Sequence, residues 1–574
     1  MGMTDRSTNS DSDRRTFIKR GLLTGGSLAL AAAGAPTPAQ ARRPHRVHRS
    51  RAVRRAPNIL VILVDQLRAP AWVPASVTLD TLLPSLASLR RESVSFERHY
   101  TASNDCSPSR GALLTGLYSH QTGCMITGRS RLNPGFPTWG TLLRDMGYDT
   151  TWWGKWHLNP HANASLEPYG FSGGTYPSPN GSPGQGTEVD PRIVDQFEDW
   201  FDQEAGSGPW CTTVSLVNPH DVAWWYRFTS EIPRESEPPQ WVGEIPPNFE
   251  TPEQLQAHGK PLLHRSLQET AARSFGAVPF SGPELVSTWS GLMNTYLLLQ
   301  AYVDRQIGRV LAKLATHPTV SDNTVILFTS DHGEYGGSHG MRGKGASAYE
   351  EAIHVPLYVS DRRGLATAAT EVPRSQLTSS VDVVPLLLSI ATGSQAWRGD
   401  SSLAHLAARQ DLAAICADAG APGRPWVLHA TDEDVTEFAS DLHDAEAPHH
   451  VVALRTAQGK LGLYSNWAQE STEAESVGEE VECYDYGTFA GQAELANVAG
   501  LSALEEELRT TLEAEAIPNE LHAPLPGYLQ SARAKGMGNY FDVDASEGEK
   551  AAASHLHVAA PIEPTPNADR PAPN

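Results

Sequence analysis

Four apolar runs that each break off into polar residues constrain this chain more than any other feature. Asn58 to Val64 stops at Asp65-Gln66, and Cys211 to Val217 leads into Asn218-Pro219-His220-Asp221. Thr324 to Thr329 stops at Ser330-Asp331-His332-Gly333, and the weaker run Tyr148 to Trp153 enters Gly154-Lys155-Trp156-His157. Short continuous apolar runs of this kind are buried strands. Helical patterns at Leu79–Glu92, Ser107–Tyr118, Ile193–Glu204 and Leu285–Ala315 alternate with them. The alternation predicts an α/β fold with a mostly parallel sheet flanked by helices, and such sheets place ligand sites beyond the carboxyl ends of their strands. The four polar endings should therefore meet, bringing carboxylate, amide, imidazole and ammonium groups to one place.

A chain of 574 residues exceeds what one core usually serves. The α/β pattern fills residues 57–400, which form the expected catalytic domain. Beyond it the pattern changes to the short strands Val427 to Ala430, Val451 to Arg455 and Lys460 to Tyr464. A helix over Leu501–Ala516 follows, which Pro518 should stop. Residues 401–530 are thus expected to form a smaller antiparallel sheet-plus-helix subdomain. A tail over 531–574 follows, its end rich in Ala, Pro and Glu and expected to be disordered.

The opening residues read as an address label. Arg14-Arg15-Thr16-Phe17-Ile18-Lys19, the apolar run Gly21 to Ala33 and Ala39-Gln40-Ala41 resemble a twin-arginine export signal over 1–41. The run is too short to span a bilayer, and no later segment has 18 unbroken apolar residues. This reading implies passage through the twin-arginine translocon to a periplasmic or extracellular location, with no transmembrane segment in the mature chain. A basic linker, 42–56, carries seven arginines. Twelve of the 45 Lys and Arg lie before residue 56 against three of the 66 Asp and Glu, so the remaining body is strongly acidic. That field excludes general nucleic-acid binding, and an anionic substrate must be drawn by charges gathered in one cleft. Five cysteines make an odd count. Cys106 stands apart, and Cys124, Cys211, Cys416 and Cys483 either pair late in an oxidising compartment or stay as buried thiols.

Cys106-Ser107-Pro108-Ser109-Arg110, followed by Gly111-Ala112-Leu113-Leu114-Thr115-Gly116, resembles the C-x-P-S-R-x-x-L-L-T-G signature of type I sulfatases, alkaline phosphatase-like enzymes. Gly147-Tyr148-Asp149-Thr150-Thr151-Trp152-Trp153-Gly154-Lys155-Trp156-His157 is similar to the second signature of that family, with bulkier tryptophans. The likeness continues in order through Asn218-Pro219-His220, Thr329 to Gly333, Lys344 and Glu482-Cys483-Tyr484-Asp485.

The resemblance implies that Cys106 is converted to formylglycine by a formylglycine-generating enzyme. Once hydrated, that residue offers two hydroxyls on one carbon, one to attack sulfur and one whose electrons later expel sulfate. Pro108 suits the first turn of the helix beginning there, whose N-terminus favours an anion at residue 106. Arg110 is expected to reach back and position residue 106. Asp65, Gln66, Asp331 and His332 are expected to hold one divalent cation together with residue 106. Oxygen-rich ligation favours Ca2+, and His332 leaves Mn2+ or Mg2+ open. Sulfatases commonly carry a second Asp where Gln66 stands. Lys155 and Lys344 would bind the sulfate oxygens. His157 would take a proton from the second hydroxyl, and His220 would bind near the leaving oxygen and protonate it. His339 and His354 carry no assigned role.

The expected function is therefore an exported, arylsulfatase-like hydrolase of small-molecule or saccharide sulfate esters. A phosphonate monoester or phosphodiester hydrolase on the same scaffold is one alternative, encouraged by Asp65-Gln66, and a non-catalytic binding protein of the same fold is the other.

Overall fold

The computed structural model describes residues 56–541, apart from 71, 129, 160, 232–237, 365, 433–443, 445 and 469–472. The expected export signal, all but the last residue of the basic linker, and the tail beyond 541 lie outside the described residues. Among the described residues, no helix is long and apolar enough to cross a membrane.

The larger sheet contains β1 (Asn58–Asp65), β2 (Val94–Phe96), β3 (Asp149–Gly154), β4 (Ser172–Gly173), β5 (Trp210–Pro219), β6 (Thr324–Ser330) and β7 (Leu357–Asp361), in the order β2-β7-β6-β1-β5-β3-β4. β1, β3, β4, β5 and β6 run parallel, while β7 and β2 add an antiparallel edge. β1 is buried along its whole length, as a strand covered on both faces must be. Its side chains alternate. Ile59, Val61 and Leu63 pack with Leu113 and Leu114 of α1 (Cys106–Thr115) and with Leu387 of α4 (Val383–Thr392). Leu60, Ile62 and Val64 pack with Phe197 of α2 (Gln185–Glu204) and Ile307 of α3 (Leu285–Ala315). Each such side chain contributes roughly 1.5–3 kcal/mol by leaving water.

The smaller sheet is antiparallel, with β8 (Trp426–Thr431), β9 (His450–Thr456), β10 (Gly459–Trp467) and β11 (Ala474–Asp485) in sequential order. α5 (Ala503–Thr511) packs on it. A last helix, α6 (Gly527–Phe541), runs across residue 530.

Several sequence expectations need correction. The helix expected over Leu79–Glu92 is two helices, Leu79–Leu82 and Pro84–Arg91, because a proline ring disfavours helical geometry in the residue before it. The turn after α1 comes at Gly116, whose φ of 70° suits glycine, so α1 ends before Tyr118. α2 begins at Gln185, eight residues earlier than expected, and carries Pro191 within it. Pro518 does not stop the C-terminal helix, which continues from α5 as a π-helical stretch, Leu512–Leu521. Between Phe228 and Pro283, where the sequence shows no clear periodicity, lies a 14-residue helix, Leu262–Phe275, whose buried His264, Ser266, Gln268 and Thr270 hide its period. All five cysteines are buried free thiols.

Candidate active site

The polar endings of β1, β3, β5 and β6 converge on the N-terminus of α1, where Cys106 is buried. Asp105 starts that helix, its carboxylate accepting from the Cys106 backbone N–H at 2.5 Å. The Cys106 Sγ lies 3.5 Å from Lys155 Nζ, 3.4 Å from Lys344 Nζ and 3.2 Å from His332 Nε2. Both Asp65 carboxylate oxygens are 3.8 Å from it. Lys155 can turn inward because Gly154, at φ 102°, brings the chain against β5, where a Cβ would sit 1.9 Å from the Ser215 carbonyl oxygen.

Arg110 is fully buried and does not spend its fork on residue 106. Its Nε donates to Asp331 Oδ2 at 2.8 Å and its Nη2 to Asp65 Oδ2 at 3.1 Å. Nη1 donates to the Lys155 carbonyl and to Ser215 Oγ. The arginine thus clamps the acidic ends of β1 and β6 to β3 and β5, correcting its expected contact. Lys155 Nζ completes the pairing, 2.7 Å from Asp65 Oδ2.

Gln66, at φ 67°, points its amide sideways. Lys344 Nζ donates to Oε1 at 2.8 Å, and Nε2 donates to Glu334 Oε2 at 2.5 Å. Asp65, Cys106, Asp331 and His332 each offer a ligand atom within 4.8 Å of the others. His332 Nδ1 donates to the Gly333 carbonyl at 3.1 Å, which leaves Nε2 facing the carboxylates. This donor set fits a divalent cation: two carboxylates and an imidazole whose tautomer is fixed by its second nitrogen.

Electrostatics follow from this packing. Burial opposes the Asp65 charge, yet Lys155, His220 and Arg110 hold the carboxyl well below the usual carboxylate range. Burial also opposes charge on His332, but Asp331, Cys106 and Asp105 raise its affinity for a proton well above an ordinary imidazole's. A metal ion at Nε2 would take that proton's place. His157 and His220 are pushed well below the ordinary value, first by burial and then by Lys155. The Nδ1 atom of each is buried without a hydrogen-bond partner. Burial and Asp65 push the Cys106 thiol up.

Sequence reasoning missed Asp105 and Glu334. Asp105 Oδ1 lies 3.2 Å from both His332 Nε2 and Lys344 Nζ. An acidic residue just before a helix start is a cap pattern, and that signal was available. Two other features are structural. Trp152 packs among Trp139, Trp156 and Phe171 while Trp153 lies on the opposite face. Trp224 packs edge-on against Phe228 and Phe275, and of the aromatics from 224 to 228 only Tyr226 is more than half exposed. His339 stacks on Tyr349 at 3.6 Å and His354 on Tyr100 at 4.9 Å.

Comparison with known proteins adds a family. The family model described as Sulfatase matches residues 57–394. The chain is 27% identical over 369 residues to the uncharacterized sulfatase YidJ of Escherichia coli K12, covering 58% of this chain and 68% of that protein. It is 26% identical over 383 residues to a choline-sulfatase of Rhizobium meliloti, covering 58% and 67% respectively. The solved structure of a phosphonate monoester hydrolase from Silicibacter pomeroyi superimposes with a TM-score of 0.59 at 22% identity, covering 80% of this chain and 94% of that one, a likeness of fold.

Proposed function

Because this chain belongs to the sulfatase family of the alkaline phosphatase superfamily, we propose that it hydrolyses sulfate monoesters at residue 106, with Cys106 converted to formylglycine. The observation that carries this reading is the pair of ammonium groups, Lys155 and Lys344, set 3.5 and 3.4 Å from the side-chain atom of residue 106. Two fixed cations on one buried nucleophile position serve a tetrahedral anion better than an uncharged substrate.

Lys155 and Lys344 would grip the non-bridging sulfate oxygens. A divalent cation held by Asp65, Asp331, His332 and residue 106 would polarise the nucleophile and screen developing charge. Arg110 keeps the two carboxylates in place and so acts as a positioning residue. His157, neutral in its buried setting, is suited to accept the proton of the second hydroxyl. His220 is also neutral in the free protein, and an arriving anion offsets the ammonium charges that suppress its protonation. It can then deliver a proton to the leaving oxygen.

Asp105 enters the charge balance of the site. Three carboxylates, Asp65, Asp105 and Asp331, now face Arg110, Lys155 and Lys344, so a bound dication supplies the excess positive charge. A net charge of about +2 attracts a singly charged ester and a doubly charged phosphate monoester alike, so attraction alone does not choose between them. It does not separate a sulfate monoester from a phosphonate monoester, the second reading, which Gln66 keeps in view. The presence of the whole catalytic set around residue 106 argues against the binding-protein reading, since a retained fold without chemistry has no need of Cys106, Lys155 and His157 together.

The same reading includes export through the twin-arginine translocon, supported by Arg14-Arg15 and the apolar run behind them. Assay of sulfated aryl, sugar and choline compounds on protein co-expressed with a formylglycine-generating enzyme tests the activity. Turnover of at least one, lost in Cys106→Ala, is expected. Equal turnover by protein carrying an unmodified thiol contradicts the role of residue 106.

A further inference from the structure

The imidazole of His220 has to be aimed without help from its own Nδ1, which is buried with no hydrogen-bond partner. Its direction must come from the chain on either side and from what the ring rests on. Along β1 and β5, Val64 pairs with Leu216 but Asp65 pairs with Pro219, so Val217 and Asn218 form a bulge that β1 does not match. Bulges of this kind re-aim side chains beside active sites. Both N–H groups of the bulge go to one carboxylate of α2, Asp190, whose Oδ1 accepts from Val217 at 2.7 Å and whose Oδ2 accepts from Asn218 at 2.9 Å. On the far side of His220 the direction reverses. Asp221 returns to the start of α2, where Oδ1 accepts from the Gly186 N–H at 3.0 Å and Oδ2 from the Thr187 N–H at 2.9 Å. Gly184 brings no capping side chain there, so Asp221 answers N–H groups that a helix start leaves open. The ring itself lies on Gly181, where a Cβ would come within 2.5 Å of it. Gly181 is held by the same turn of α2. Gln185 Oε1 accepts from the N–H groups of Asn180 at 2.9 Å, Gly181 at 2.7 Å and Ser182 at 3.2 Å, while Trp224 Nε1 donates to the Gly181 carbonyl at 2.5 Å.

We propose that Gln185, Asp190 and Asp221 are positioning residues of His220, the opening turns of α2 fixing its backbone on both sides and the surface under its ring. The inference rests on the reading of His220 as the group that protonates the leaving oxygen, and adds the device that sets its direction. A proton donor must come within hydrogen-bond reach of the leaving oxygen, and a small misplacement there costs rate at the transition state rather than in binding. The competing explanation is that the three side chains only tie α2 to the sheet.

The two explanations differ in how the loss depends on the ester. A series of aryl sulfate monoesters running from good to poor leaving groups gives kcat and KM for the parent, Gln185→Leu, Asp190→Asn and His220→Ala. Gln185→Leu and Asp190→Asn should each lower kcat by at least about tenfold for the poorest leaving group and by less than about threefold for the best, with KM little changed. Gln185→Glu, which keeps an oxygen acceptor, should restore the parent's dependence on leaving group. On a His220→Ala background, Gln185→Leu should cost less than about twofold more, because the group it positions is gone. Thermal denaturation confirms folding, and where Asp190→Asn fails to fold, the Gln185 variants decide. Losses equal across the series, or fully additive with His220→Ala, overturn the positioning role and leave His220 its own. If His220→Ala itself shows no dependence on leaving group, the reading of His220 as the acid falls, and the proposal with it.

Discussion

Two of the places where the molecule buries charge are built differently. Under the small sheet, Glu494 takes Lys460 Nζ, the Tyr486 hydroxyl at 2.9 Å and the Glu350 backbone N–H at 2.9 Å. Glu482 accepts from Tyr464 at 2.5 Å and Tyr484 at 2.6 Å, and Glu250 pairs with His339 at 2.7 Å. Nearly every group is answered there, Glu351 Oε2 being an exception at 3.8 Å from His339 Nε2. Around Cys106, by contrast, the Nδ1 atoms of His157 and His220 are both left without partners. Burial and charge density are shared by both regions. Left-handed backbone is shared as well, at His339 (φ 55°) and Glu494 (φ 54°) under the small sheet, so the unanswered imidazoles mark the region that works on a ligand.

Substitutions can separate the two regions. Cys106→Ala should have the largest effect, lowering kcat/KM by at least about four orders of magnitude while the thermal midpoint moves by little. Retained turnover would break the comparison at its strongest point. His220→Ala should cost about 10²–10⁴-fold, and more for esters with poor leaving groups than for good ones. Gly181→Ala should show a weaker form of the same signature, because a Cβ there would lie 2.5 Å from the His220 ring. A loss independent of leaving group would remove His220 from the acid role.

The junction should respond in the opposite sense. Lys460→Met leaves Glu494 buried with its cation gone, so stability should fall by about 3–5 kcal/mol while kcat/KM per folded molecule stays within about threefold. Denaturant unfolding beside active-site titration reads both quantities.

The smallest effect concerns pH. Burial lifts the Asp221 carboxyl from 3.8 to about 6, against the N–H groups of Gly186 and Thr187 that favour its charge. The folded protein therefore holds that proton more tightly than the unfolded chain, and the associated stability is whole below about pH 3.8 and lost as pH rises through about 6. In Asp221→Asn this component should vanish, so the midpoint of the parent relative to the variant should fall between those two pH values. Parallel midpoint curves would show that the fold leaves the proton affinity of Asp221 as it is in the unfolded chain.

Much of the site was legible because strand ends are fixed by periodicity. An apolar run that stops at Asp65 or Asp331 can only present those residues at the sheet's edge, and parallel order brings the edges together. What stayed hidden depended on three-dimensional partners. Arg110 looked like a residue aimed one turn back, yet two buried carboxylates on separate strands outbid that contact. Asp105 lay one position outside the recognised motif and gained its meaning only from His332 and Lys344, more than two hundred residues away. The helix Leu262–Phe275 escaped because its buried face is polar, serving the charge network under the small sheet rather than an apolar core.

The central claim is that residue 106, flanked by Lys155 and Lys344, acts on sulfate esters. It is tested most directly by measuring kcat/KM for a sulfate monoester and for a phosphonate monoester of the same alcohol. The protein should be co-expressed with a formylglycine-generating enzyme, and its residue-106 peptide confirmed by mass as the aldehyde. The account predicts that the sulfate is faster by at least about tenfold, or roughly 1.4 kcal/mol in the barrier. A faster phosphonate would contradict it and assign this chain to phosphonate hydrolysis.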